Sequence, residues 1–153
     1  DADQLTRAFE QHKVDGVIHC AAVTSGSERE ARDPKSVVDA NLNGTINVLD
    51  AARRTNVRRV VYSNSGSVYG ETLYKGLPLL FEDSSPAIPV RLYSITKQAA
   101  ERTCLRMREL WDLDVVSARL GNVIGPWERA TGVRDRFEPR QVKEAAGSLN
   151  GMH

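Results

Sequence analysis

Short apolar runs that alternate with longer amphipathic segments constrain the fold of this chain more than any other feature. Three runs suit buried parallel strands, and they span 14–22, 58–63 and 113–120. The intervening segments have apolar residues at helical spacing, over 5–12, 33–54 and 93–111. Asp33 and Pro34 suit the N-cap and first position of the second helix. Because alternating strands and helices form parallel sheets, the sequence predicts a doubly wound α/β fold.

Composition excludes several classes of function. The 153 residues suit one domain, and a formal net charge of +1 gives no electrostatic case for binding nucleic acid or a membrane surface. No apolar run approaches the roughly 20 residues of a membrane helix, and the first residues do not form a signal peptide. Two cysteines and three scattered histidines predict neither a disulfide framework nor a zinc site. A cytoplasmic location is the default expectation.

Small and polar residues end or follow each predicted strand. They are Cys20-Ala21-Ala22, Ser63-Asn64-Ser65-Gly66-Ser67 and Gly121-Asn122-Val123. Residues 64–90 are rich in Ser, Gly and Pro and are predicted to be mostly loop. Because ligands bind beyond the carboxyl ends of parallel strands, these segments predict one binding site at that edge of the sheet.

Tyr93 and Lys97 are the residues that most directly suggest chemistry. They lie four positions apart in a predicted helix, so both side chains share one face. A nearby cation favours the phenolate form of a tyrosine, which can then act as a general acid or base near neutral pH. The alternative is an ordinary pair on a solvent-exposed helix face.

Six segments, taken together and in order, resemble one protein family. They are 15–22, 41–45, 60–63, 65–70, 93–97 and 119–126. As a set they are similar to the extended short-chain dehydrogenase/reductases, the NAD-dependent epimerase/dehydratase group that acts on nucleotide-sugars. The resemblance implies a partial Rossmann-like domain over 1–126 and the truncated start of a substrate-binding region over 127–153.

The family's first glycine-rich turn has no counterpart in this sequence. That turn holds the cofactor pyrophosphate at a helix N-terminus, and no Gly-x-x-Gly-x-x-Gly occurs here. We therefore expect an internal fragment of a longer enzyme, which lacks the N-terminal strands and is inactive alone. The resemblance implies NAD as cofactor; NADP stays open, because the discriminating residue would lie in the missing part.

The resemblance also implies residue roles. Tyr93 would move the substrate's hydroxyl proton, Ser65 would hold the same oxygen, and Lys97 would bind the ribose and favour the phenolate. The implied cofactor-binding residues are Cys20, Ala21, Ala22, Thr24, Asn41, Ser63, Tyr93 and Lys97, and the implied substrate-binding residues are Ser65 and Asn122. The alternatives are a turn serine at 65, an exposed helix residue at 41 and a turn-forming asparagine at 122.

These roles imply hydride transfer between NAD and a sugar carbon that carries a hydroxyl group. Epimerisation, dehydration and net oxidation share that first step; Gly66 and Ser67 stand where a dehydratase would carry an acidic residue, which argues mildly against dehydration. The resemblance further implies a nucleotide-sugar substrate and a homodimer formed through the two long helices. A non-catalytic nucleotide-binding relative and an inactive fragment are the alternatives.

Overall fold

A three-stranded parallel sheet forms the centre of the chain in the computed structural model, which describes residues 1–24, 26–74 and 79–121. Strands β1 (Gly16–His19), β2 (Arg59–Ser65) and β3 (Val115–Leu120) lie in the order β1-β2-β3. The register pairs Val61 with Ile18 on one side and Val116 on the other. The predicted α/β class with a parallel, Rossmann-like sheet is confirmed.

Helices connect the strands. Their bounds are α1 (Ala2–Gln11), α2 (Ser27–Arg32), α3 (Pro34–Val38), α4 (Gly44–Arg54) and α5 (Leu92–Trp111). Asp33 caps α3 as predicted, since its carboxylate accepts a hydrogen bond from the Ser36 amide and Pro34 follows at the first position. Helix α2 was not predicted; its sequence is charged and has no apolar stripe. In the predicted loop, two short 3-10 turns span Gly66–Tyr69 and Glu71–Tyr74.

The predicted continuous helix over 33–54 contains a π-helical turn, Asp39–Asn43, between α3 and α4. The Thr45 hydroxyl donates a hydrogen bond to the Asn41 carbonyl at 2.7 Å, next to this turn. A π-helical turn inside an α-helix redirects the side chains around it, and such turns are frequent at functional sites. Here the turn buries Asn41.

The hydrophobic core lies on one face of the sheet. Val60, Tyr62 and Val115 pack there against α4 and α5, and Leu5 and Phe9 of α1 pack at its edge. On the opposite face Ile18, Val116 and Leu120 are exposed. The packed face therefore positions α5 across the end of β2.

Neither a membrane span nor a metal-binding cluster is found in the described ranges. No helix there has the length and apolar character needed to cross a bilayer, and no group of three or more His, Cys, Asp or Glu side chains is arranged to hold a metal ion.

Candidate functional site

Helix α5 places Lys97 beneath the carboxyl end of β2. The side chain is 3% exposed, and its ammonium donates a hydrogen bond to the Ser63 carbonyl at 2.7 Å. The same nitrogen lies 4.7 Å from the centroid of the Tyr62 ring. Burial lowers the pKa of Lys97, although the Cys20 and Cys104 thiols act in the opposite direction. A solvated helix lysine is therefore excluded.

Tyr93 lies one helical turn before Lys97 on the same face. Its ring centroid is 5.9 Å from the Lys97 nitrogen, and the residue is half-buried. An ammonium carries three N–H donors, and in the part of the chain that the structure describes only the one to Ser63 is engaged. The arrangement thus leaves an accessible phenol beside a cation that has donors to spare.

Ser65 ends β2 and begins the first 3-10 turn. Its hydroxyl oxygen accepts a hydrogen bond from the Ser67 amide at 3.2 Å. The turn-serine role is therefore present in the structure. Because the oxygen acts as the acceptor in that bond, the hydroxyl proton remains available for donation to a ligand.

The Asn41 side chain links the loop after β1 to helix α5 through hydrogen bonds, and this link is called the Asn41 bracket. Its side chain accepts a hydrogen bond from the Val23 amide at 2.7 Å and donates to the Val23 carbonyl at 3.0 Å and the Thr96 hydroxyl at 3.1 Å. The residue is 1% exposed, so the interpretation as an exposed helix residue is wrong. Its amide is occupied by protein groups, and it supports the site from behind.

The loop that Asn41 holds carries four of the predicted cofactor-binding residues. Cys20, Ala21, Ala22 and Thr24 are all exposed there. Small exposed residues at the end of a parallel strand permit close approach of a ligand.

His19 supports the same bracket from β1. Its Nε2 lies 3.1 Å from the Thr45 hydroxyl, which donates its own proton to the Asn41 carbonyl. The Thr45 oxygen must therefore accept from an N–H at Nε2. Burial, and secondarily the nearby charge of Lys97, lowers the pKa of His19. His19 is therefore a buried, hydrogen-bonded residue of β1.

Arg119 and Glu101 form a buried ion pair to which the sequence analysis gave no role. The guanidinium donates to both oxygens of the carboxylate, from Nε at 2.9 and 3.2 Å and from the terminal nitrogen at 3.0 Å. In the sequence, only spacing points to a role for Glu101, because it follows Tyr93 and Lys97 at helical intervals on α5.

Two further polar groups lie buried beside Ser65. The Asn64 amide and the Ser67 hydroxyl have no hydrogen-bond partner among the described residues. Such groups are uncommon in folded proteins and cost about 1–3 kcal/mol each. Unpaired hydrogen-bonding groups therefore flank Ser65 on both sides in the sequence.

The structure thus brings Tyr93, Lys97 and Ser63 together, with Ser65 further along the same strand. Asn122 and the expected substrate-binding region over 127–153 lie outside the described residues.

Comparisons with known proteins give a consistent result. Residues 1–149 match the profile of the NAD dependent epimerase/dehydratase family. A UDP-glucose 4-epimerase of Lacticaseibacillus casei is 31% identical over 153 residues, which cover 97% of this chain and 45% of the relative. The UDP-glucose 4-epimerase of Thermus thermophilus, solved with NAD, is 30% identical with a TM-score of 0.73 over 87% of this chain and 42% of that one.

A further solved structure is RMD of Pseudomonas aeruginosa, in complex with NADPH. It is 29% identical, with a TM-score of 0.74 over 100% of this chain and 49% of that one. The chain spans less than half the length of the curated relatives it matches first.

Proposed function

The chain belongs to the NAD dependent epimerase/dehydratase family, and from that premise we propose that it carries the catalytic residues of an NAD(P)-dependent oxidoreductase or epimerase for nucleotide-sugars. One observation carries the proposal: at the carboxyl edge of a parallel sheet, the buried Lys97 ammonium donates to the Ser63 carbonyl and lies 5.9 Å from the Tyr93 ring centroid. Burying a cation costs several kcal/mol, and its position beside an accessible phenol supports general acid–base chemistry.

Each side chain has a separate task in this proposal. Tyr93 removes the proton of the substrate hydroxyl and returns it, and Ser65 donates a hydrogen bond to the same oxygen. The N–H groups of Lys97 that are not bonded to Ser63 would bind ribose hydroxyls of a nicotinamide cofactor. Such a cofactor would supply the acceptor and donor of the hydride.

The described residues fit the nicotinamide and ribose end of such a cofactor. Cys20, Ala21 and Ala22 are exposed and small, and Asn41 holds their loop against α5. A glycine-rich turn for the pyrophosphate does not occur in the 153 residues. We place that turn in another part of a longer protein, in keeping with the fraction of each relative that this chain matches. Neighbours solved with NAD and with NADPH support either nicotinamide cofactor.

Among the possible reactions, epimerisation or net oxidation is favoured over dehydration. A dehydratase needs an acid beside the loop serine to expel a hydroxyl group, and Gly66 and Ser67 follow Ser65 here. The UDP-glucose 4-epimerase relatives support the same choice.

A homodimer through α4 and α5 completes the proposal. The outer faces of these helices expose large apolar side chains, which are Ile46, Ile95, Leu105 and Leu110. Apolar side chains on two neighbouring helices suit a symmetric helical interface between copies.

The experiment is Tyr93→Phe in the protein that contains this chain, assayed with NAD and a panel of UDP-sugars. We expect kcat to fall by about 10²–10⁴, the usual contribution of a general acid or base, with cofactor affinity unchanged. A kcat within threefold of wild type would remove Tyr93 from the mechanism. A wild-type protein that binds NAD but turns over no sugar would favour the non-catalytic alternative.

A further inference from the structure

We propose that Arg119 is a positioning residue, which fixes the Ser65 loop, defined as residues 65–70, relative to the helix that carries Tyr93 and Lys97. This inference rests on the proposed function, because it concerns the placement of the Ser65 hydroxyl. Arg119 itself lies in β3 and is assigned no contact with the reacting atoms.

The first set of Arg119 contacts is the ion pair with Glu101 of α5. Glu101 follows Lys97 by four residues and Tyr93 by eight, so the three side chains share one face of the helix. The side chains of Arg119 and Glu101 are only 16% and 9% exposed. The Ser117 hydroxyl donates a further hydrogen bond to the Glu101 carboxylate at 3.3 Å. A planar guanidinium with two contacts to one carboxylate has a defined orientation.

The second set of Arg119 contacts holds the C-terminal end of the Ser65 loop. The terminal nitrogen of Arg119 that does not contact Glu101 donates to the Tyr69 hydroxyl at 2.9 Å and to the Glu82 carbonyl at 3.2 Å. Tyr69 is the last residue of the 3-10 turn that Ser65 caps. The guanidinium therefore connects the end of this turn to α5.

Backbone contacts make the connection stiff. The Ile88 amide donates to the Tyr69 carbonyl at 3.4 Å, and the Glu71 amide donates to the Ile88 carbonyl at 3.2 Å. Between them Gly70 adopts φ +51°, where a Cβ would overlap the Ile88 carbonyl oxygen. At the near end of the loop, Ser65 is paired in register with Leu120, the residue after Arg119. Arg119 is thus the side chain that joins the Tyr69 end of the loop to α5, while the strand pairing holds the Ser65 end.

Positioning of this kind affects rate more than binding. A displacement of about 1 Å in a catalytic group can cost about 10²-fold in rate. Because Arg119 joins Tyr69 at the end of the loop to α5, its loss would let the loop and the Ser65 hydroxyl shift, while the cofactor loop over 20–24, which Asn41 holds, stays in place.

The test compares Arg119→Met, Arg119→Lys and Tyr69→Phe with a matched control, Arg59→Met, in the protein that contains this chain. Arg59 also forms an ion pair with a carboxylate, that of Asp114 at 2.6 Å, but it lies at the opposite end of β2, next to the start of β3. Two readouts are needed: steady-state kinetics with a UDP-sugar and NAD, and hydrogen exchange of the Gly70 amide, which donates to the Ser67 carbonyl at 3.0 Å.

We expect Arg119→Met to lower kcat by about 10- to 100-fold, to leave KM for the sugar within threefold, and to speed Gly70 exchange. Arg119→Lys should recover part of the loss, Tyr69→Phe should lose severalfold in kcat, and Arg59→Met should match wild type in both readouts. A folded Arg119→Met protein with wild-type kcat and Gly70 exchange, or with KM alone altered, would overturn the inference.

If Arg119→Met does not fold, Tyr69→Phe carries the test, because it keeps the ion pair; wild-type kcat and exchange in that variant would overturn the inference. The proposed function fails in a different way. Wild-type protein without turnover, or Tyr93→Phe with normal kcat, would refute it, whereas Gly70 exchange would still report whether Arg119 holds the loop.

Discussion

Replacing Lys97 with Met should change the stability of the protein little at pH 7 while it weakens cofactor binding and turnover. The charged form gains a hydrogen bond to the Ser63 carbonyl, worth about 1.5–3 kcal/mol, and a contact with the Tyr62 ring, worth about 0.5–2 kcal/mol. Burial opposes both, because the effective penalty for a buried ion is several kcal/mol. Burial is the largest cause of the lowered pKa of Lys97, so the cost of the buried charge acts against these contacts.

Methionine keeps most of the lysine stem and removes the charge. It also leaves the Ser63 carbonyl without the ammonium, which costs up to about 1–3 kcal/mol if water does not replace it. Since the relief of burial and this loss oppose each other, we expect the free energy of unfolding at pH 7 to stay within about 1 kcal/mol of wild type. A lysine retained as a structural anchor would cost about 3–5 kcal/mol on removal, as broken buried pairs do.

The pH dependence gives a second check with a definite sign. The Lys97 pKa is lower in the folded protein than in the unfolded chain, where it is about 10.4. Between those two values the unfolded chain binds the extra proton, so wild-type stability rises with pH across that window. The Met variant lacks this gain. Its stability relative to wild type should therefore fall as pH rises through the lowered folded value towards about 10.4.

Urea unfolding of wild type, Lys97→Met and the control Lys13→Met at several pH values would measure this. Lys13 is exposed, so its replacement should shift stability by less than about 0.5 kcal/mol at every pH. Loss of more than about 3 kcal/mol in Lys97→Met at pH 7, or a stability difference from wild type that does not change with pH, would refute the reasoning.

Three other predictions concern association, cofactor binding and the bracket behind the site. Light scattering of the protein that contains this chain should give a dimer at micromolar concentration, and Ile95→Glu should shift it towards monomer; a wild-type monomer would count against the helical interface. Calorimetric titration of the 153-residue chain with NAD should give a dissociation constant of millimolar or weaker, because phosphate contacts of about 1.5–3 kcal/mol each are missing; micromolar affinity would reveal a phosphate site within these residues. Asn41→Ala should cost about 2–4 kcal/mol in urea unfolding, since it leaves both Val23 backbone groups and the Thr96 hydroxyl without their partner; a loss below about 0.5 kcal/mol would mean that the bracket contributes little.

Local patterns in the sequence were sufficient for the order and type of the main elements. The run that predicted a helix over 93–111 corresponds to Leu92–Trp111, and Asp33 with Pro34 begins a helix as capping chemistry requires. The same-face relation of Tyr93 and Lys97 also follows from helical geometry alone. These features depend only on residues within one or two helical turns of each other, so they can be predicted from the sequence without knowledge of the fold.

Contacts between distant residues were decided only by the tertiary structure. Asn41 was expected to be a polar support near the cofactor, and only the tertiary structure shows that its partners are Val23 and Thr96, 18 and 55 positions away. The π-helical turn Asp39–Asn43, which contains Asn41, lies within a segment whose apolar spacing predicts one continuous helix. The burial of Lys97, and hence its lowered pKa, likewise requires β2 to lie across α5. Periodicity predicts which residues share a face of one element, whereas the free energy of a buried charge depends on what the fold places against that face.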